Sequence, residues 1–399
     1  MKHHTAKRVK ELSESQTLLM ASKSRELKAQ GKDIINLSLG EPDFNTPDYI
    51  SQAAHQAIDD HVTYYPPVNG FEELRKIICE KLKRDNNLSY SPDEIVVSTG
   101  AKQSLMNVFL GLVNPGDEVL LPTPYWVSYY AMCEFSGAKI KKLKTDVESG
   151  FKMTPDRLRK KLSSRTRLLV FSSPCNPSGS AYSREELKAL AEVIKDYPGL
   201  YVVSDEIYEL IRYKGTHTSM AEFSEIKEQV ITVNGVSKGF AMTGWRIGYI
   251  AAEKHVAKAA AKIQGQFTSG ANTIAQMAAA AALKNSPEKV NYMVKAFAER
   301  RELMLSLLDD IPGIKSNNPE GAFYVFPDVS KYFGRDTENG TCIAHSTDLC
   351  MYLLEEAEVA TVPGEAFGDE NCIRLSYAAS ENEIKEALRR IKEALAKIK

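Results

Sequence analysis

Seven short apolar runs, rich in β-branched residues, recur through the middle of this 399-residue chain. They are EIVVST, DEVLLP, AKIKKLKT, RLLVFSSP, LYVVSDE, QVITVNGVS and RIGYIAAE, and longer helical patterns separate several of them. One such pattern, SREELKALAEVIKDY, opens with Ser183 as an N-cap and carries an apolar stripe through Leu187, Leu190, Ala191 and Ile194. The alternation predicts an α/β architecture, a doubly wound and mostly parallel sheet with helices on both faces. In such sheets ligands gather at the carboxyl ends of the strands. Polar residues that close an apolar run are therefore the first candidates for function.

Past about residue 290 the pattern changes to a long charged helix, then GAFYVFPDVS, then CIRLSYAAS, then a last helix. That helix opens with Ser380 and Glu383 as a capping box and repeats Ile384, Leu388, Ile391, Leu395 and Ile398 on one face. A second, smaller α+β domain is expected there. The polar segment KYFGRDTENGTCIAHSTD, residues 331–348, reads as an exposed excursion.

Composition removes several functions. A formal net charge of -1 offers no global attraction for nucleic acid. The basic stretch RLRKKLSSRTR, residues 157–167, lacks interleaved aromatics and reads as a solvated helix face. The six cysteines form no CxxC pair and the seven histidines no HExxH, so neither a metal centre nor a disulfide framework is expected. A reducing cytoplasm fits that usage. The first twenty residues lack an apolar signal core, and no apolar run is long enough to cross a bilayer.

Four strand ends carry the chemistry. LYVVSDEIY ends in Asp205 and Tyr208; a carboxylate there needs a donor partner, or simply caps the next helix. RLLVFSSPCNPSG ends in Asn176, within a segment that is also good turn chemistry. IVVSTGAKQ passes through Gly100 and Ala101 into a helix whose free N–H groups can hold a phosphate, with Lys102 following. VNGVSKGFAMTGWRIGY isolates Lys238 in a mostly uncharged run that ends with Arg246. An ammonium among apolar neighbours loses its proton readily, which makes a lysine a Schiff-base former. As a bare pattern, Gly235, Ser237 and Gly239 also match the nucleophile elbow of a serine hydrolase. That rival needs a downstream histidine, and His255 and His345 both lie away from strand ends. Lysine, serine, arginine, helix N-terminus, aspartate, asparagine and tyrosine together complement the functional groups of pyridoxal 5'-phosphate.

On nine ordered segments the chain resembles the class I, fold-type I aminotransferases that depend on pyridoxal phosphate, particularly the bacterial aspartate aminotransferase subgroup. The segments are LSLGEPDFNTP, TYYPPVNGFEELR, STGAKQ, PTPYWVSY, SSPCNPSG, SDEIY, SKGFAMTGWRIGY, PEGAFYVFP and CIRLSYA. The resemblance implies a seven-stranded large domain over 47–290, a small domain over 291–399, and an N-terminal arm over 1–46 that joins the small one. It implies Lys238 as the Schiff-base lysine and proton shuttle, and Asp205 as partner of the pyridinium nitrogen. Tyr208 and Asn176 would hydrogen-bond the phenolic oxygen, and Trp126 would stack on the ring. Gly100, Ala101, Ser237 and Arg246 would bind the phosphate. Arg374 would grip the substrate α-carboxylate, with the Gly40 backbone nearby, and Lys102 would meet a side-chain carboxylate. Tyr65 would reach the phosphate of a neighbouring subunit, which makes a homodimer with shared active sites.

The implied reaction is ping-pong amino transfer between aspartate or glutamate and 2-oxoglutarate or oxaloacetate. Prephenate, aromatic or kynurenine substrates, or carbon-sulfur lysis, are alternatives on the same fold. A DNA-binding regulator on this fold is not expected, since fewer than about forty residues precede LGEPDF. Asn69, where an alanine is common, and the 331–348 segment depart from the family pattern.

Overall fold

In a computed structural model that describes residues 5, 6, 9, 10, 12 and 16–399, all seven apolar runs are strands of one sheet. They are β1 (Ile95–Thr99), β2 (Glu118–Pro122), β3 (Lys139–Leu143), β4 (Thr166–Ser172), β5 (Tyr201–Asp205), β6 (Val230–Gly235) and β7 (Ile247–Ala251). Their order is β1-β7-β6-β5-β4-β2-β3. β7 runs antiparallel to both neighbours, and every other pairing is parallel.

The inner strands read as continuous apolar runs because both faces are covered. Leu169, Phe171 and Val202 enter one apolar layer, while Leu168, Val170 and Val203 enter the other. Helices Glu72–Asn86, Arg184–Ile194 and Thr273–Lys284 complete the first layer. Helices Ala101–Leu112, Val127–Ser136 and Lys254–Phe267 complete the second. β3, with sequence KIKKL, is an edge strand, and its lysines discourage pairing with another chain.

β1, β2, β4, β5 and β6 all release the chain at one edge of the sheet. Because β7 is reversed, its amino end lies at that same edge and brings Arg246 there. Glycine makes the junction possible. A Cβ on Gly248 of β7 would lie 2.2 Å from the Ala101 amide nitrogen, and one on Gly100, at φ +80°, would lie 2.5 Å from Arg246 Nη2.

The C-terminal third supplies a three-stranded antiparallel sheet of Val362–Pro363, Ile373–Ser376 and Tyr324–Val325. Ile35–Asn36 pairs in parallel with Val359–Ala360, and the Ser376 amide donates to the Leu37 carbonyl. Residues 35–40 are thereby fastened to C-terminal strands. The final helix, Glu381–Leu395, has the expected capping box, and Ile384, Leu388, Ile391, Leu395 and Ile398 are all buried.

The expected exposed excursion at 331–348 is largely exposed and gains local structure. The 331–348 segment is an ordered hairpin in which Arg335–Asp336 pairs with Cys342–Ile343, followed by a helix that starts at Ser346. Asp336 and Lys399 exchange backbone hydrogen bonds of 3.2 and 3.0 Å. The hairpin is held by backbone pairing and leaves polar side chains outward, so no apolar period announces it. The basic stretch is a paired surface, with Arg157 on Asp146 and Arg165 on Glu118. Among the described residues no helix is long and apolar enough to cross a membrane.

The Gly248 junction is testable. Gly248→Ala should lower stability by about 1–3 kcal/mol through overpacking, read as a lower urea midpoint at an unchanged m-value.

Candidate active site

The carboxyl edge opens into a cavity of about 790 Å³. Its lining includes Gly40, Ala101, Lys102, Trp126, Asn176, Asp205, Tyr208, Ser237, Lys238, Arg246 and Arg374. Gly100 stands directly behind this wall against the Arg246 guanidinium. Twelve of the thirteen expected site residues thus meet in one place. Tyr65 does not; it is 98% exposed and contributes nothing to the cavity of its own chain.

Asp205 ends β5 fully buried, where its Oδ2 accepts from the Tyr129 hydroxyl at 2.6 Å and its Oδ1 from the Ile207 amide at 3.2 Å. The capping alternative is not realised, since a turn and not a helix follows; the carboxylate closes that turn. Burial pushes its pKa up to about 6, against these two donors. A buried carboxyl held only by neutral donors suits a cationic guest.

Lys238 follows β6 and donates from Nζ to the Gly40 carbonyl at 2.6 Å. Burial pushes it down to about 8; Arg374 and Arg246 add to the effect against the pull of Glu41. Its loop is clamped from outside, because Thr46 donates to Ala241 O at 2.7 Å and accepts from Trp245 Nε1 at 2.9 Å. Ala241 and Arg246 both sit at positive φ, 51° and 59°. Such conformations persist only where the surroundings over-determine them.

Arg374 is buried among Tyr324 and Phe367, whose rings lie 4.6 and 5.2 Å from its guanidinium carbon. It donates to Asn176 Oδ1 at 3.0 Å and to Ser38 O at 2.5 Å, both neutral acceptors, and Nε has no partner. Among the described residues no carboxylate pairs with it. At the other side, Lys102 and Arg246 share the start of helix Ala101–Leu112, whose first turn carries no acidic residue. Desolvation, then Arg246, holds Lys102 below the usual lysine range. Two cations at the positive end of a helix dipole repel each other unless an anion sits between them.

Tyr208 and Tyr324 share a hydrogen bond of 2.8 Å, and burial raises both phenols, so each remains a donor at neutral pH. Trp126 offers a ring to the cavity, with Tyr129 edge-on at 5.5 Å and Lys102 Nζ 5.0 Å from its centroid. Tyr129, Tyr324, Ser38 and Thr46 received no role in the sequence reading. Tyr129 was visible as the next helical turn after Trp126; the others come from segments distant in the chain and had no local signal. The hydrolase rival fails on geometry: His255 bonds Tyr201 at 2.8 Å and His345 faces Asp348 and Glu365, so neither accompanies Ser237.

A half-buried amine with a lowered pKa, a buried carboxyl and several cations lining one cavity of a doubly wound sheet suit an enzyme that handles amino acids. The chain matches the Aminotransferase class I and II family over residues 32–391, and it belongs to that family. It is 48% identical, over 98% of its own length and 83% of the other, to a bifunctional aspartate aminotransferase and glutamate/aspartate-prephenate aminotransferase from Petunia hybrida. It is 43% identical to an aspartate/prephenate aminotransferase from Cereibacter sphaeroides, covering 94% of this chain and 95% of that one. Among solved structures, aspartate aminotransferase from Rhizobium meliloti superposes with a TM-score of 0.96 at 41% identity, covering both chains fully. The enzyme from Thermus thermophilus with maleate gives 0.92 at 40%, covering 98% of this chain and 100% of that one.

The raised Asp205 has a stability consequence. Its pKa is near 3.9 in an unfolded chain and about 6 in the fold, so between those values the folded state holds the proton more tightly. Stability is therefore lost as pH rises from 4 through 6, by about 3 kcal/mol above that window. Asp205→Asn removes the charge but keeps only one acceptor for two donors. The cofactor-free variant should be more stable than the parent by about 1 kcal/mol at pH 8 and no more stable at pH 4, measured by urea unfolding.

Proposed function

We propose that this aminotransferase uses pyridoxal 5'-phosphate to move an amino group between aspartate or glutamate and 2-oxoglutarate or oxaloacetate by a ping-pong mechanism. The carrying observation is a pair of anion seats on one cavity: Arg374, buried without a carboxylate, and the Lys102–Arg246 helix start, with Lys238 on the same wall. The donor set fits the cofactor. Bound there, pyridoxal phosphate would supply an electrophilic aldehyde carbon and a ring that accepts electrons.

Every other task falls to the chain. The Ala101 amide, Ser237 and Arg246 would hold the phosphate, with Gly100 leaving room for the guanidinium. Asp205 would keep the ring nitrogen protonated, gaining the cation it lacks and losing its raised pKa. Tyr208 would donate to the phenolic oxygen and Asn176 would bond it as well, while Trp126 covers the ring face. Lys238, near pH 8, has enough neutral amine to attack and enough ammonium to return a proton at Nζ. Arg374 would take the α-carboxylate bidentately, near the Gly40 backbone, and Lys102 the second carboxylate.

The maleate of the Thermus thermophilus structure is a dicarboxylate, which supports an acidic substrate here. The prephenate activity of the Petunia hybrida and Cereibacter sphaeroides relatives supports prephenate, itself a dicarboxylate, as a second amino acceptor. The N-terminal arm is read as part of a small domain over 291–399 that faces the large domain over 47–290, supported by the pairing of residues 35–36 with 359–360. The fully exposed Tyr65 supports a homodimer in which it serves the other subunit's site. A cytoplasmic location agrees with the unpaired cysteines.

The protein incubated with pyridoxal phosphate should show a visible band that bleaches on adding aspartate and is absent from Lys238→Ala; a reconstituted parent without colour would end the proposal. Lys102→Ala should raise KM for aspartate about 10- to 100-fold and leave that for alanine nearly unchanged. Refolding an equal mixture of Lys238→Ala and Tyr65→Ala chains, each inactive alone, should restore about a quarter of parental activity. Half the dimers would then be hybrids with one intact site of two. No recovery would mean that Tyr65 acts within its own chain or not at all.

A further inference from the structure

The turn that follows β5 presents Asp205 and Tyr208 to the cavity and turns Glu206 and Glu209 to the opposite side. Both glutamates are buried, and both are fully hydrogen-bonded. Glu206 Oε1 accepts from Ser204 at 2.8 Å and Ser219 at 2.7 Å, and its Oε2 lies 3.0 Å from His217 Nε2. Glu209 Oε1 takes the Lys81 ammonium and its Oε2 accepts from Asn86 Nδ2 at 2.8 Å. Lys81, only 2% exposed, also donates to Asn86 Oδ1 at 2.7 Å, and Asp85 stands 3.9 Å from it.

Glu206, Glu209 and His217 lie close enough to share a metal ion, yet the Lys81 ammonium already neutralises Glu209 and its neighbours fill the remaining oxygens. The cluster is therefore a clamp rather than a cation site. Its geometry is specific: helix Glu72–Asn86 holds the far end of the turn through Glu209, and residues 217–219 hold the near end through Glu206. The turn itself is closed by Glu209 N to Glu206 O at 2.9 Å and Ile211 N to Tyr208 O at 2.8 Å. A shift at Glu209 thus moves Tyr208, its chain neighbour, while the backbone of Asp205 is anchored in the sheet.

We propose that Glu209, paired with Lys81, is a positioning residue that sets where the Tyr208 hydroxyl points, with Glu206 as the second anchor of the same turn. The inference rests on the cofactor reading above, in which Tyr208 donates to the phenolic oxygen. Nothing in the clamp lines the cavity, so its effect passes through the turn residues that do, and Tyr208 is the one adjoining Glu209. Charged and titratable groups facing Glu209 are Lys81, Arg84, Asp85, His217, Glu206 and Tyr249.

The test uses the cofactor-loaded protein and the pH midpoint of its visible absorption band. Losing a well-placed donor to the phenolic oxygen raises that midpoint. Glu209→Gln should raise it by about half a unit or more and lower kcat about 10- to 100-fold, with a smaller change in KM. Tyr208→Phe should raise it further. The double variant Tyr208→Phe/Glu209→Gln should match Tyr208→Phe alone, because the acting group is already gone. Equal shifts from Glu209→Gln in both backgrounds, or a lowered melting temperature with no spectral shift, would overturn the proposal. Should Glu209→Gln not fold, Asn86→Ala removes one donor without exposing a charge, and the same comparison applies. A parent without a visible band would instead refute the cofactor reading, a separate outcome.

Discussion

The Arg374 charge, kept from water with no counterion among the described residues, is the constraint on which this site depends. The Arg374 guanidinium meets an amide oxygen, a backbone carbonyl and two aromatic rings, all neutral. A carboxylate of the chain in the same place would satisfy it and end its use. Neutral acceptors fix its direction and leave its charge available, at a desolvation cost that an ordinary surface could not sustain. Lys102 and Arg246, both open to solvent, add positive charge at a helix start, where the dipole adds a third positive contribution.

Such an arrangement requires a frame that resists relaxing toward water, and the frame is non-local. Arg374 is held by residues 38 and 176, so three remote segments must be in place before its geometry exists. The Lys238 loop likewise leans on Thr46 and Gly40. The single reversed strand is the economy of the design: it delivers Arg246 to the edge where the parallel strands end, without another crossover helix. Strain at Ala241 and Arg246 is tolerated because the sheet on one side and Thr46 on the other leave the loop no alternative path.

What the sequence revealed follows from how local each signal was. The seven strands and the last helix were legible because burial on fixed faces imposes a period on the residues themselves. Lys238, Asp205 and Asn176 were legible because polar groups at the close of an apolar run stand out. Arg374 and Trp126 gained roles only by family resemblance, since a strand arginine and a helix-start tryptophan carry no chemistry in isolation. Thr46 and Ser38 were invisible: each acts by a hydrogen bond to a segment remote in the chain, the Lys238 loop for Thr46 and the strand bearing Arg374 for Ser38. The hairpin at 335–343 escaped for the opposite reason, because its backbone pairing requires no apolar side chain. Of the rear clamp, Glu206 stood in the quoted SDEIY run and Glu209 just after it, yet alternation into a turn cannot tell which carboxylate faces a cavity.

The same burial acts in opposite directions on the two central titratable groups, and this makes the site responsive near neutrality. It drives Asp205 up to about 6 and Lys238 down to about 8, which narrows a gap that in water spans more than six units. A cation beside Asp205 would return that carboxyl toward its ordinary value, whereas an anion at Arg374 would raise Lys238 by masking one of the charges that repel it. Binding thus tunes the base as well as positioning what it acts on. A dicarboxylate also brings a second charge to Lys102, where a monocarboxylate leaves the ammonium unmatched and repelled by Arg246. Discrimination between the two is then set by the cost of leaving that ammonium unmatched, a larger quantity than the few methylene contacts by which side chains of similar size differ.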